Sequence, residues 1–384
     1  MNKKKGVGKQ ERLYYLDWLR VLAILGVFLF HAVHPFDMFP WEIKNADQSV
    51  AVTLFIVFLG PWGMPLFFLL SGVGSQFALR RRTSKQYLIE RVNRLLIPFI
   101  VGSVLLSPLQ LYFQWAHQLQ TGVFDGSLLE FFQIRDISIG PRFFGWAGFH
   151  LWFLGFLFAY SIIALPIFQW LKQGAGKQFV DWLVRICSKR GGLLLFILPL
   201  MVVQFIFRPY FPMEHDWTDF LFSLVFFIVG YILYSDQRFE EPIKRDWKVM
   251  LIFGIISTLF FFGAGAADRA TEWMETSGTL GYYMLWGMWS INAWCWTLFM
   301  LFIGMRYLDF TNKLLQYGQD TIMPFFLFHQ PVIIIIAFYV VQWEVGVTLK
   351  LITVVLSSFV ISFGLVEFVL RRIKPVRKIL GMKS

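Results

Sequence analysis

Apolar runs about 20 residues long recur from one end of the chain to the other, parted by polar segments. A helix of that length crosses a hydrocarbon core roughly 30 Å thick. The runs fall near residues 16–36, 53–79, 92–115, 147–170, 191–208, 218–235, 248–265, 281–305, 319–341 and 347–370. They predict an all-α, polytopic integral membrane bundle of about ten spanning helices. No Ser/Gly linker, low-complexity tract or short repeat divides the chain, so residues 1–384 read as one membrane-embedded domain.

Composition agrees with the pattern. Hydrophobic residues make up 57% of the chain, aromatic residues 19%, and charged residues only 15%, too few to cover a water-soluble globule, which carries about 25%. The net charge of +11 alternates between successive interhelical segments and therefore reports topology rather than a nucleic-acid partner. One set of segments holds Lys3, Lys4, Lys5, Lys9 and Arg12, then Arg80, Arg81, Arg82 and Lys85, then Lys172, Lys177, Arg185, Lys189 and Arg190. It continues with Arg238, Lys244, Arg245 and Lys248, then Arg306 and Lys313, and finally Arg371, Arg372, Lys374, Arg377 and Lys378. The opposite set mixes a few cations such as Lys44, Arg135 and Arg208 with Asp37, Glu42, Asp47 and Glu214. The positive-inside rule places the first set, and with it both termini, in the cytoplasm.

The first run lacks a small-residue cleavage site and carries Asp17, Arg20 and His31, so it is expected to remain in the protein rather than act as a removable signal. Cys187 and Cys295 suggest neither a disulfide framework nor a metal cluster. The segment 116–146 on the outer side, with Trp115, His117, Phe124, Phe131, Phe132, Phe143, Phe144 and Trp146, is aromatic enough to fold back on the membrane surface. It suits either an interfacial aromatic belt or a surface for an acceptor.

Ionisable side chains inside apolar spans are costly unless paired or hydrated, which makes them the first places to look for chemistry. Arg20 and His31 lie 11 residues apart, a spacing that returns to within about 20° of one helix face, about 16 Å further along. Both can line one cavity, with Arg20 in the inner half. Equally, Arg20 can pair with Asp17 at the inner interface while His31 makes a structural hydrogen bond. Arg91 and Arg94, one turn apart, fit either a diphosphate held by two guanidinium forks or an anchor on anionic lipid. His150, beside Trp152, opens the fourth run, and His329 sits two residues before Pro331 in the ninth. Pro331 withdraws a helical donor and frees a carbonyl near His329. Glu367 needs a cation or a proton, with Arg20 and Arg371 as the available partners. No Walker loop, HExxH, nucleophile elbow or metal-ligand spacing is present, which leaves histidine acid–base work as the expected chemistry.

Arg12 to Arg20, followed by ten residues and His31, resembles the opening of the type-3 membrane acyltransferase family. Further elements match in order: Phe67-Phe68-Leu69-Leu70-Ser71-Gly72, Arg91 and Arg94 leading to Pro98, His150-Leu151-Trp152-Phe153-Leu154, and Phe326-Leu327-Phe328-His329-Gln330-Pro331. The His150 and His329 elements and Glu367 followed by Arg371 are similar to a branch of that family regarded as succinylating periplasmic glucans. The resemblance implies a multi-pass protein of the cytoplasmic (inner) membrane. Its expected reaction transfers an acyl group, acetyl or succinyl, from cytoplasmic acyl-CoA to a hydroxyl of an envelope carbohydrate on the far side. His31 would be the catalytic histidine, Arg20 its motif partner, and Arg91 with Arg94 the donor-side pair. Asp17, His150, Trp152, His329 and Glu367 would line the pocket. Acyl-CoA would be a co-substrate, with no permanently bound cofactor and no metal. Direct transfer and an acyl-histidine intermediate both fit. The alternative from another class is a secondary transporter or flippase of a glycan or glycolipid, in which the same side chains form a path.

Overall fold

The computed structural model describes residues 12–127 and 140–373. Lys3, Lys4, Lys5, Lys9, Phe131, Phe132, Arg135, Lys374, Arg377 and Lys378 lie outside them. Helices dominate the described residues, and none forms a strand. The principal helices are α1 (Tyr14–Val33), α2 (Val50–Arg81), α3 (Ser84–Gln120), α4 (Arg142–Ile163), α5 (Gly174–Cys187), α6 (Gly192–Phe207), α7 (Trp217–Leu233), α8 (Trp247–Ala266), α9 (Leu280–Tyr307), α10 (Lys313–Val340) and α11 (Val347–Leu370).

Eight of these are long and apolar enough to cross a membrane, and α7 with the bent segment Gln237–Arg245 makes a ninth. The expected fifth span, α6, is shorter. It combines a 3₁₀ turn of 5 residues with an α-helix of 11, reaching about 27 Å. Both of its ends pack on α9: the Leu193 carbonyl accepts from Trp294 Nε1 at 2.9 Å, while the Arg208 guanidinium lies 4.3 Å from the Trp286 ring centre.

Hydrogen bonds sort the connecting segments into two groups. At one end Tyr14 N donates to Asp309 (3.0 Å), Arg80 to the Tyr234 carbonyl (3.0 Å), Lys172 to the Leu79 carbonyl (3.0 Å) and Arg245 to the Ser188 carbonyl (2.6 Å). These are the Lys- and Arg-rich segments. At the other end Lys44 N donates to His117 Nε2 (3.0 Å), and Lys350 Nζ donates to Asn45 Oδ1 (3.1 Å) and the Val341 carbonyl (2.8 Å). α5 lies at the basic end, with Phe179 and Trp182 exposed on its surface.

Polar residues start the helices where the pattern changes. Thr83 and Gln86 form a reciprocal capping box at the start of α3, and Asn312 caps α10 through a 2.8 Å bond from Leu315 N. The Phe67–Gly72 motif does its work in packing. A Cβ on Gly72 would stand 1.9 Å from the Phe227 carbonyl oxygen, and one on Gly230 would stand 2.1 Å from the Leu69 carbonyl oxygen. Only glycines permit α2 and α7 to approach so closely. That contact fixes the inner half of α2, which carries the partners of Arg20.

Candidate active site

Two polar regions lie at different depths on α1. In the one toward the basic end of the bundle, Arg20 Nη1 meets Asp17 Oδ1 at 3.2 Å and Nη2 donates to the Leu70 carbonyl at 3.2 Å. Gly74 leaves room for it: a Cβ there would sit 3.2 Å from Arg20 Nη2. The Arg20 side chain is still 37% open. Arg91 is its charged neighbour across the interface. Arg91 lies over the Tyr87 ring at 4.7 Å and reaches Ser75 Oγ at 3.5 Å, while Tyr87 OH donates to the same Ser75 at 2.9 Å. Arg91 Nε is buried with no hydrogen-bond partner among the described residues. The carboxylates nearby are already shared: Asp17 also binds Arg12 at 2.8 Å, and Glu90 binds Arg82 at 2.8 Å and Arg94 at 3.3 Å. Arg91 has no carboxylate partner among the described residues and so brings uncompensated positive charge beside Arg20, suited to an anion.

Arg91 and Arg94 have different partners. A π-helical turn over Val92–Leu96 follows Arg91, adding a residue to the hydrogen-bonded ring and rotating Arg94 off the inner face. Arg94 is half exposed beside Glu90. The structure thus joins Arg20 to Arg91, not Arg91 to Arg94.

In the region away from the basic end three histidines from distant parts of the chain converge. His31 comes from the last turn of α1, His150 from the 3₁₀ turn Phe149–Leu151 within α4, and His329 from α10. The His31 and His329 ring centres are 5.4 Å apart, and those of His150 and His329 are 5.2 Å apart. His329 Nδ1 donates to the Phe326 carbonyl at 2.7 Å and His150 Nε2 to the Leu327 carbonyl at 3.1 Å. The second bond explains the proline. Pro331 has no N–H, so the carbonyl four residues before it loses its helical donor, and His150 supplies the replacement. His31 Nδ1, His150 Nδ1 and His329 Nε2 remain buried without hydrogen-bond partners among the described residues. No three His, Cys, Asp or Glu side chains among the described residues converge as metal ligands.

Residues that sequence reasoning did not single out roof this cluster. Trp41 stacks on His34 (5.4 Å between ring centres, 7° between planes) and on His31 (6.3 Å, 23°). Fully buried Asp37 meets His34 Nδ1 at 2.5 Å and Lys44 Nζ at 2.9 Å, and Lys44 also donates to the His34 carbonyl at 2.8 Å. An Asp-Lys pair inside an otherwise apolar bundle was the available signal, but the sequence does not show that residues 37–49 fold inward.

The other expected pocket residues lie elsewhere. Trp152 packs on His215 at 4.4 Å and Phe156 at 4.9 Å. Burial pushes the His215 imidazole below its usual range, against the opposing pull of Glu214 and Asp219. Glu367 is occupied by Tyr317 OH (2.7 Å) and Arg371 (2.5 Å), so Arg371, not Arg20, is its partner.

The acyltransferase-domain family model matches residues 13–367. Proteins called glucans biosynthesis protein C from Salmonella agona and Salmonella paratyphi A are each 25% identical over 347 residues, covering 86% of this chain and 84% of theirs. No solved structure matches the chain. The chain belongs to the acyltransferase-domain family and is a multi-pass membrane acyltransferase.

Proposed function

We propose that this protein transfers an acetyl or succinyl group from cytoplasmic acyl-CoA to a hydroxyl of a cell-envelope carbohydrate at the far face of the inner membrane. In this reading the basic end of the bundle and both termini face the cytoplasm. The observation that carries the proposal is the division of α1. Arg20, joined by Arg91, offers positive charge to a phosphate, and His31 lies about 16 Å outward beside His329 and Trp41. A CoA anchored by its phosphates at the arginines extends its thioester along α1 toward His31. The carbohydrate acceptor rests on the names of the relatives, and half-buried Trp41 is an aromatic side chain of the kind that stacks against a sugar ring. Membership of an acyltransferase family favours this reading over a transporter or flippase.

His31 is half-buried with Nδ1 as its enclosed nitrogen, which leaves Nε2 to meet substrate. Nε2 takes the proton of the acceptor hydroxyl as that oxygen attacks the thioester carbonyl. The carbon–sulfur bond then breaks, the new ester departs, and the imidazolium returns its proton to the CoA thiolate. General-base help of this kind contributes about 10² to 10⁴ in rate, with positioning supplying further acceleration.

The test is release of CoA thiol from acetyl-CoA and succinyl-CoA by the purified full chain in lipid nanodiscs, with and without a glucan acceptor. Acceptor-dependent release from one donor is expected. Folded protein that neither binds CoA nor releases thiol from either donor would overturn the proposal.

A further inference from the structure

Among the three converging histidines, the hydrogen-bond count is unbalanced. A carbonyl oxygen accepts and never donates, so the bond to the Phe326 carbonyl requires a proton on His329 Nδ1, and the bond to the Leu327 carbonyl requires one on His150 Nε2. In their uncharged forms His329 Nε2 and His150 Nδ1 are therefore both bare lone pairs. Each is buried without a protein partner among the described residues. Within the cluster of three rings, the nitrogen left to serve them is His31 Nδ1, itself buried and unpartnered among the described residues. His329 is the nearer ring, with its centre 5.4 Å from that of His31 and the planes tilted by 41°. At that spacing a small ring rotation or one bridging water links the two nitrogens. Catalytic hydrogen bonds are commonly loose before substrate binds.

His329 is held firmly enough to act as a reference. Its ring lies parallel to Phe325 (6.2 Å, 8°) and edge-on to Phe28 (6.4 Å, 64°). His150 fills the gap in the α10 hydrogen-bond ladder left by Pro331, one residue along from the carbonyl that orients His329. A proline and two carbonyls thus set the tautomers of two histidines, a task that backbone carbonyls or carboxylates commonly perform for catalytic imidazoles.

We infer that His329 is the positioning residue of the acyl transfer: its Nε2 accepts the Nδ1–H of His31 and so keeps His31 Nε2 bare and directed at the acceptor hydroxyl. The inference rests on the function proposed above for His31. The hydroxyl proton moves to His31 Nε2 and later to the CoA thiolate, while the Nδ1 proton stays between the two rings. His329 gains no proton in the cycle. It stabilises the imidazolium by accepting a stronger, charge-assisted hydrogen bond.

Two substitutions separate this role from packing. His329→Gln keeps an acceptor near the Nε2 position, whereas His329→Asn keeps only a polar group near Nδ1. Nitrogen-15 histidine NMR of the full chain in nanodiscs reads the tautomer of His31 without any substrate. The expected spectrum shows His31 protonated at Nδ1 in the wild type and in His329→Gln, with mixed tautomers in His329→Asn. In steady-state transfer, kcat falls about 100-fold in His329→Asn with the donor KM within about twofold, and His329→Gln recovers about tenfold of it. His31 protonated at Nε2 in the wild type, or unaltered in His329→Asn, would overturn the inference. So would equal losses in both variants accompanied by a raised KM. A wild type that transfers nothing would instead defeat the proposed function, and the tautomer measurement would still decide the role of His329.

Discussion

The arginine region and the histidine region share α1 and little else. Around Arg20 and Arg91, charge is abundant, unevenly paired and partly open, and Asp17 and Glu90 each serve two arginines. Around His31, no carboxylate touches the three converging rings among the described residues; the nearest acid on the roof, Asp37, is committed to His34 and Lys44. An excess of fixed cations holds an anion well but moves protons badly. Uncharged imidazoles enclosed in an apolar bundle do the reverse. Under the proposed function, one helix keeps donor binding and proton transfer at different depths.

The largest effect expected from breaking this division is at His31. His31→Ala should lower acyl transfer by about 10² to 10⁴ while CoA affinity stays within a few-fold, as checked by thiol release and calorimetric titration of the same preparation. The arginine side should show the converse. Arg91→Ala or Arg20→Ala removes charge-assisted bonds worth about 1.5–3 kcal/mol, weakening CoA binding by about 10- to 100-fold. Arg94→Ala, at an exposed side chain tied to Glu90, should weaken it by less than about threefold. Equal losses at Arg91 and Arg94 would restore them as a pair.

Gly72→Ala acts on the frame that both regions share. Its Cβ would fall 1.9 Å from the Phe227 carbonyl oxygen, so α2 and α7 must part, at about 1–3 kcal/mol by analogy with overpacked cores. A lowered Tm with binding and transfer reduced together is expected; loss of one alone would contradict a shared frame. The smallest effect lies at the basic end. Arg245 hydrogen-bonds Asp246, with Gly191 N donating to the same carboxylate at 3.0 Å. These bonds hold the Asp246 carboxyl below its usual range. A depressed folded-state value contributes stability above the unfolded value of about 3.9, and that stability disappears as pH falls through the folded value. Asp246→Asn should therefore lower Tm slightly at pH 7, and the gap from wild type should close as the pH drops below about 4.

Much of the fold was legible because run length and charge alternation are imposed by the bilayer itself. Each expected run became a helix. α6 is the exception in length, since a span whose ends are buried by Trp294 and Trp286 need not carry a full apolar stretch of its own. His31, His150 and His329 stood out as rare ionisable groups, and the freed carbonyl near His329 was readable from Pro331. That His150 would take that carbonyl was not readable, because it depends on how α4 meets α10. The π turn after Arg91 leaves no compositional mark, so helical spacing alone aligned Arg91 with Arg94. The roof of Trp41, Asp37 and Lys44 was hidden because an inward fold of a connecting segment has no periodicity.

The most direct test of the divided helix is calorimetric titration of CoA onto wild type, His31→Ala and Arg91→Ala in nanodiscs. The account predicts that His31→Ala binds like wild type and Arg91→Ala binds at least about tenfold more weakly. Loss of CoA binding in His31→Ala, or unchanged binding in Arg91→Ala, would contradict it.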